Sequence, residues 1–345
     1  ENDYKIYYNI GCLLFELGKI HQANYHFIKS RNLKPKFADI SWRQSLCLLT
    51  LKDFRNGFVL YENRWKRENH PNKKFDNIKS PNHISEIKDK NILIWDEQGL
   101  GDTINFSRFV IDILKFTKKV TFVVDKKLKD ILSNIDKDIY VTDYESLNKI
   151  DYDFQIALGS LPKLLNILTT DDIKFYKLSL PEKKTQKNII NNNKFSVGLA
   201  WSANPNYPMD KYRSISFNKF DQLLQLKNFN FYKLSKTTKD SESINKKTYP
   251  NIFDFGDKSL FEISEIIKEL DLIISADTSI NHLAGILGVN SILLLNFNND
   301  WRWFSDKNKN FCSMKDMSND QDIVYRDLEN ISSSHIINFD FLFDN

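Results

Sequence analysis

The stretch NILIWDEQGLGDTINFSRF, residues 91–109, decides the fold. It opens with a short apolar run, residues 91–95, which is typical of a buried strand, and passes through a glycine-containing turn into a segment with helical spacing of its apolar residues. The inward positions of that predicted helix, residues 103–118, are Ile104, Phe109, Ile111 and Leu114. A strand, a tight turn and a helix in this order predict the first βα unit of a parallel sheet.

The same alternation of strand and helix continues along the chain in two halves. In the first half, further strands are predicted at residues 120–124, 139–144 and 154–158, with a lysine-rich helix ending near residue 135. After a charged, asparagine-rich link, residues 181–193, the second half predicts strands at 196–200, 230–234, 272–276 and 291–295 and helices near 217–226, 260–270 and 280–287. Two such halves predict an α/β protein with two Rossmann-like lobes, residues 91–180 and 194–325, whose strand ends face a cleft.

The N-terminal region, residues 1–70, follows a different pattern of paired amphipathic helices. It resembles the 34-residue tetratricopeptide (TPR) unit at Tyr7, Ile10, Gly11, Leu14, Ala23, Phe27, Ser30 and Pro35, with a poorer second copy at Ser41, Ser45, Leu48, Gly57 and Tyr61. Small residues at Gly11, Ala23 and Gly57 are expected to let the helices approach closely. Because two units rarely stand alone, we expect further units upstream or docking onto the next domain.

Two segments with little periodicity complete the chain. Residues 71–90 are polar, contain two prolines and predict a linker or an extended strap. The tail, residues 326–345, is rich in aromatic residues and is expected to pack back onto one lobe.

Composition and charge narrow the class of protein. Lys and Arg number 49 against 45 Asp and Glu, and the basic residues are scattered, which argues against nucleic acid as a partner. Cys12, Cys47 and Cys312 lie far apart without a CxxC pair, so neither a disulfide framework nor a zinc site is predicted. The longest apolar runs are far below the ~20 residues of a membrane span. We therefore expect a cytoplasmic protein without a membrane span.

The first candidate site is the turn Glu97–Thr103, between a predicted strand and a predicted helix. Gly99 and Gly101, with Gln98, would let backbone N–H groups approach a ligand, although a tight βα turn also needs glycine for its dihedrals. A dinucleotide fingerprint would need a third glycine where Asn105 or Phe106 stands. Asp102 can cap the helix or, at the mouth of the cleft, take a proton from an acceptor hydroxyl.

The second candidate site follows the apolar strand LIISA. Asp277, Thr278 and Ser279 open a helix there, where hydroxyls and free N–H groups can bind a diphosphate without a metal. N-capping by Asp277 or Thr278 explains the same residues and is compatible with binding. His282 lies one turn into the helix on the same face, so it either contacts the ligand or serves a structural role.

The third candidate site is a polar loop after the strand VGLA, with Asn204 and the cations Lys211 and Arg213. Such cations can stabilise a pyrophosphate leaving group, as can Lys236 at the end of a later strand, and solvated surface charge is the alternative. Asp300–Trp303 places an arginine between two tryptophans, which can cover a base or, as we favour, lock the second lobe.

Four motifs in this order carry a resemblance to a family: WDEQGLGDTINFSRF, VGLAWSANP with DKYRSI, DLIISADTSINHLAGILG, and NDWRWF. Over nearly the whole chain, the sequence resembles TPR-containing bacterial glycosyltransferases related to the ADP-heptose heptosyltransferases of glycosyltransferase family nine. The resemblance implies a GT-B fold, with the acceptor on the first lobe and a nucleotide-diphosphate sugar on the second.

The resemblance also implies roles for individual residues. Asp102 matches the acidic base of the family's glycine turn, and Thr278, Ser279 and His282 match its donor-phosphate element. Arg213 or Lys211 matches the basic donor residue. The acidic residue that holds the donor ribose would fall in the loop SKTTKDSES, as Asp240, Glu242 or neither.

These residues predict an inverting, metal-independent sugar transfer that needs no cofactor beyond the nucleotide sugar. The acceptor is expected to be a polypeptide or a glycan, because TPR units form concave surfaces that hold extended peptides or a partner protein. The alternative is a catalytically inactive scaffold or adaptor with the same fold.

Overall fold

The computed structural model describes residues 3–68, 74–117, 119–147, 151–182, 190, 194–203, 210–236, 247–295 and 300–303. Within them the chain is an α/β protein with two parallel sheets, preceded by a helical region. No helix in the described ranges has both the length and the apolar character that crossing a membrane requires. The predicted tail, residues 326–345, lies outside the described residues.

Four helices form the N-terminal region, and a 3₁₀ helix, Glu62–Lys66, follows them. They are α1 (Tyr4–Glu16), α2 (Ile20–Leu33), α3 (Ala38–Thr50) and α4 (Phe54–Tyr61). A Cβ atom at Gly11 would lie 2.8 Å from the Phe27 ring, and one at Gly57 would lie 2.7 Å from Leu49. The prediction that small residues permit close packing here is therefore confirmed at both glycines.

The first sheet has four parallel strands in the order β3-β2-β1-β4. They are β1 (Asn91–Trp95), β2 (Lys119–Val124), β3 (Ile139–Asp143) and β4 (Phe154–Ala157), with helices α5 (Leu100–Ile113), α6 (Lys126–Leu132) and α7 (Leu161–Leu164). All four predicted strands are present. Helix α5 begins three residues earlier than predicted, because the Asp102 carboxylate in its first turn accepts a hydrogen bond from the N–H of Gly99, the residue before the helix.

The second sheet has five parallel strands in the order β7-β6-β5-β8-β9. They are β5 (Phe195–Ala200), β6 (Phe229–Lys233), β7 (Ile252–Asp254), β8 (Leu272–Ala276) and β9 (Ser291–Leu294). The helices are α8 (Asp210–Arg213), α9 (Asp221–Leu224), α10 (Leu260–Glu269) and α11 (Ser279–Leu287). The sequence did not predict β7, a three-residue edge strand that is too short to give a recognisable apolar run. The predicted helix at 217–226 is a 3₁₀ turn, Phe217–Phe220, followed by the short α9.

The helical region shares its core with the first sheet. Phe54, Phe58 and Tyr61 of α4 belong to the same buried apolar cluster as the strands of that sheet. Beside them, Arg64 is 1 % exposed and binds Glu97 through two hydrogen bonds, Nε to Oε2 at 2.9 Å and Nη2 to Oε1 at 2.7 Å. This bidentate pair fixes the helical region to the turn that follows β1.

The Arg64–Glu97 pair belongs to a larger polar network. Arg64 also donates to Glu62 at 2.7 Å and to the Ser160 hydroxyl at 2.8 Å, and the backbone N–H of Gly159 donates to Glu97 at 2.7 Å. Each charged group therefore has several partners, which buried charges require.

Replacing Arg64 with alanine should destabilise the protein strongly, because Glu97 would remain buried without its cation. Breaking a buried ion pair in this way costs about 3–5 kcal/mol, so urea unfolding should show a clear loss of free energy. Lys126→Ala is the control, because it removes a largely exposed pair with Glu145 and should leave the unfolding midpoint unchanged. Equal midpoints for the two variants would contradict the role given to Arg64.

Candidate functional site

Both candidate turns lie at the carboxyl end of an interior strand of a parallel sheet. Helix α5 follows the carboxyl end of β1, and helix α11 follows the carboxyl end of β8. Their N-terminal turns are in contact, since a Cβ atom at Gly101 would lie 2.7 Å from the His282 ring and 3.6 Å from the Cα of Ser279. Glycine at 101 therefore allows the close approach of the two helix N-termini.

The turn before α5 is held by its own residues and by the helical region. Gln98 adopts a φ of 65°, in the left-handed region, and its side-chain amide donates a hydrogen bond to the Tyr61 hydroxyl. The N–H of Gly99 donates to Asp102 Oδ2 at 3.0 Å. Asp102 therefore caps its helix, as one of the two interpretations of the sequence predicted.

Asp102 also takes part in an ion pair between distant parts of the chain. Its Oδ1 lies 2.6 Å from Nη2 of Arg302. The same guanidinium binds Asp300 Oδ1 through Nη1 at 2.7 Å and Gln98 Oε1 through Nη2 at 3.2 Å. Arg302 thus joins the glycine turn to the segment that follows the second sheet.

The surroundings of Asp102 raise the pKa of its carboxyl above the usual aspartate value. Burial raises this pKa most, and the nearby Asp300 adds to the effect, while the charge of Arg302 opposes it. A carboxylate with a raised pKa accepts a proton more readily than an ordinary aspartate does. The position and the basicity of Asp102 both suit a general base.

The two tryptophans beside Arg302 contact different parts of the molecule. Trp301 packs edge-on against Phe58, Tyr61 and Phe106, with ring centroids 6.0 to 6.4 Å apart. Trp303 stacks on His282 of α11 with ring centroids 5.2 Å apart. Of the two roles considered for this segment, covering a base or locking the second lobe, these contacts fit a structural one, and they extend beyond α11 to α5 and the helical region.

The N-terminus of α11 is capped by Thr278 and not by Asp277. The Thr278 hydroxyl accepts a hydrogen bond from the N–H of Ile280 at 3.3 Å and shares another with Ser275 at 3.1 Å. Ser279 is the first residue of the helix. A nine-residue helix capped in this way has the positive end of its dipole beside the α5 turn, which favours an anion there.

Two titratable groups beside this helix N-terminus have strongly shifted pKa values. Burial and the charge of Asp300 raise the pKa of Asp277 to about 6, although Arg213, a hydrogen bond from Trp303 and Arg302 oppose this. Burial and the charges of Arg302 and Arg108 lower the pKa of His282 to about 3, against the opposing charge of Asp300. His282 is therefore neutral near pH 7 and can serve there as a hydrogen-bonding group, not as a cation.

The remaining predicted site residues lie farther from this contact or outside the described residues. Arg213 ends α8 beside Asp210, at 3.9 Å, and its charge acts on Asp277. Lys236 is exposed after β6. Lys211 is in α8, but its side chain is outside the described part, as are Asn204 and the alternatives Asp240 and Glu242.

The sequence did not identify Arg302 as a site residue. It also did not indicate that Tyr61 and Glu97 hold the glycine turn in place. The signal for Arg302 was an arginine between two tryptophans, a pattern that favours an aromatic-lined, partly dehydrated cation. Its guanidinium carbon lies 4.7 Å from the Trp301 ring centroid and 5.3 Å from that of Phe106.

No protein-family model and no curated protein matches the sequence. Similar solved structures include Escherichia coli ADP-heptose LPS heptosyltransferase II, at 10 % identity over 59 % of this chain and 84 % of that chain, with a TM-score of 0.42. Another is the glycosyl transferase family 9 structure from Veillonella parvula DSM 2008, at 15 % identity over 60 % and 81 % of the chains, with a TM-score of 0.43. A third is an O-GlcNAc transferase mutant of Thermobaculum terrenum, at 10 % identity over 84 % and 69 %, with a TM-score of 0.32.

These TM-scores lie below the level at which two folds can be equated. The α/β architecture with two parallel sheets therefore rests on the strand order and the pairing within this chain.

The shifted pKa values of Asp277 and His282 predict how the free energy of unfolding depends on pH. Asp277 binds a proton more tightly in the folded state than when unfolded, so its contribution to stability falls as pH rises from about 4 to about 6. His282 binds a proton less tightly when folded, so its contribution rises from about pH 3 to about pH 6.5. In the wild type the two slopes oppose each other between pH 4 and 6.

Asp277→Asn should therefore make the free energy of unfolding rise more steeply between pH 4 and 6 than in the wild type. At about 1.4 kcal/mol for each pKa unit, the two curves should diverge by at most ~3 kcal/mol. Urea unfolding at a series of pH values measures this. The variant His282→Gln is the opposite control, because without the titration of His282 the free energy of unfolding should rise less with pH. Parallel curves for wild type and Asp277→Asn would rule out the raised pKa.

Proposed function

We propose that the protein is a glycosyltransferase of the GT-B type that moves a sugar from a nucleotide-diphosphate donor to a hydroxyl acceptor. The observation that carries this proposal is the contact of Gly101 with the N-terminus of α11, which brings the neighbouring Asp102, a carboxylate of raised pKa, close to that helix terminus. A carboxylate that can accept a proton therefore lies beside a helix terminus that can bind an anion. That pairing suits the transfer of a group from a diphosphate to a hydroxyl.

In the proposed reaction, Asp102 accepts the proton of the acceptor hydroxyl. The oxygen of that hydroxyl attacks the anomeric carbon of the donor at the same time. The bond between that carbon and the diphosphate oxygen breaks, and the electron pair leaves with the nucleoside diphosphate. A single displacement inverts the anomeric configuration.

The growing charge on the leaving diphosphate would be stabilised by the N-terminus of α11. Thr278 and Ser279 supply hydroxyls there, and Arg213, Lys211 or Lys236 supplies positive charge. Removing one such group typically costs roughly 3–4 kcal/mol in the transition state. Because fixed N–H groups and side-chain cations would stabilise the charge of the leaving diphosphate, we propose that the reaction needs no metal and no further cofactor.

The helical region is proposed to be TPR-like and to bring a polypeptide or glycan acceptor, or a partner protein, to the first lobe. Its helices expose large apolar side chains, and such faces commonly bind other chains. These side chains are Ile6, Leu13, Leu17, Tyr25, Ile28 and Leu33. We propose that the protein works in the cytoplasm.

Asp102→Asn should abolish transfer while leaving donor binding in place, because an asparagine oxygen can still cap α5 but cannot accept the proton. Removing a general base typically lowers kcat by about 10²–10⁴-fold. A nucleoside diphosphate release assay over ADP-, GDP- and UDP-linked sugars measures this. If the wild type released nothing with any donor although it bound them, the chain would be the inactive scaffold that we consider as the alternative. Wild-type turnover in the variant would remove Asp102 from the mechanism.

Transfer should also continue in excess EDTA, since the proposed diphosphate site is made of helix N–H groups and side-chain cations. The measurement is the rate of nucleoside diphosphate release before and after chelation. An enzyme that lost its activity with EDTA and regained it with Mg²⁺ or Mn²⁺ would contradict this part of the proposal.

A further inference from the structure

Arg302 lies between the two halves of the proposed site. Its guanidinium binds Asp102 at 2.6 Å, and its charge acts on the pKa of both Asp277 and His282 beside α11. Its neighbour Trp303 stacks on His282. The same cation is therefore within electrostatic reach of the proposed base and of the proposed diphosphate site.

The two terminal nitrogens of the guanidinium bind different segments of the chain. Nη1 binds Asp300, which also accepts a hydrogen bond from the N–H of Arg302 at 3.0 Å, so this end is tied to its own segment. Nη2 binds Asp102 and Gln98, which belong to the turn before α5. The Asp300 end can act as a pivot while the Nη2 end changes partner.

Arg302 is buried, with its side chain 7 % exposed between the Trp301 and Phe106 rings. A buried guanidinium needs anionic partners, and its planar array of N–H groups suits phosphate as well as carboxylate. A diphosphate carries more negative charge than a single carboxylate. A diphosphate at the N-terminus of α11 would therefore compete with Asp102 for Nη2.

We propose that Arg302 is a positioning residue shared between Asp102 and the donor diphosphate. Without donor it pairs with Asp102, and when the diphosphate binds, Nη2 moves to the phosphate oxygens while Nη1 stays on Asp300. Asp102 is then released to accept the proton of the acceptor. Donor binding thus precedes activation of the base. This inference deepens the proposed function and rests on it.

A double-mutant cycle on nucleoside diphosphate binding tests this sharing without relying on turnover. Calorimetry gives the Kd of ADP, GDP and UDP for the wild type, Asp102→Asn, Arg302→Gln and the double variant. In the wild-type background, Asp102→Asn should tighten binding of the preferred diphosphate by about tenfold, because it frees Arg302. Arg302→Gln should weaken binding by at least about tenfold and cancel the effect of Asp102→Asn.

Two controls separate this effect from general damage. Asp125→Asn changes another helix-capping aspartate of the first lobe, at the start of α6, and should leave the Kd unchanged. Arg302→Lys keeps the charge but loses the planar N–H array, so it should bind between wild type and Arg302→Gln. Melting temperatures of all variants show whether each one folds, and Arg302→Lys replaces Arg302→Gln in the cycle if the latter does not.

Three other results of the binding measurements would refute the sharing of Arg302, and one of them would also refute the proposed function. If Asp102→Asn binds the diphosphate no tighter than the wild type, the sharing is refuted while the proposed transferase stands. If Asp102→Asn tightens binding equally without Arg302, simple repulsion by Asp102 is the cause and the proposal is refuted. If none of the three diphosphates binds either the wild type or Asp102→Asn, the proposed function fails and the sharing fails with it.

Discussion

The N-terminal turns of α5 and α11 meet at Gly101 and His282, and the arrangement of the candidate site depends on this contact. A side chain at 101 would overlap the His282 ring, so the two helices could not approach this closely. The contact brings the glycine turn that carries Asp102 and the turn that carries Asp277, Thr278 and Ser279 to one place. The resulting burial raises the pKa of Asp102 and of Asp277 and lowers that of His282.

The helical region supports this contact from outside the two sheets. Arg64 holds Glu97, Tyr61 binds the next residue, Gln98, and Gln98 in turn accepts a hydrogen bond from Arg302. Trp301 packs on the same helix, α4, that carries Tyr61. Whatever else the helices bind, these contacts position the turn that carries Asp102.

Local features of the fold could be predicted from the sequence because local rules determine them. Eight of the nine strands in the described residues lie where apolar runs predicted them, and the helix caps at Asp102 and Thr278 follow the ordinary preferences of helix N-termini. The short strand β7 was missed, because three residues are too few to show the alternation of a strand.

Long-range pairing of charges could not be predicted in the same way. Arg64 and Glu97 are 33 residues apart, and almost the whole of both sheets lies between Asp102 and Arg302 in the sequence. Their charges alone do not specify partners, because many carboxylates in the chain could have paired with either arginine. The pairs that form are brought together by the packing of α4 onto the core of the first sheet and of α11 onto α5.

The most direct test of this account is a crystal structure of the protein with a bound nucleoside diphosphate. The account predicts that the diphosphate lies at the first turn of α11, within hydrogen-bonding distance of Thr278 or Ser279, with Asp102 facing it across the cleft. A diphosphate bound instead at the glycine turn of residues 97–101, with the α11 N-terminus unoccupied, would exchange the proposed roles of the two turns and contradict the account.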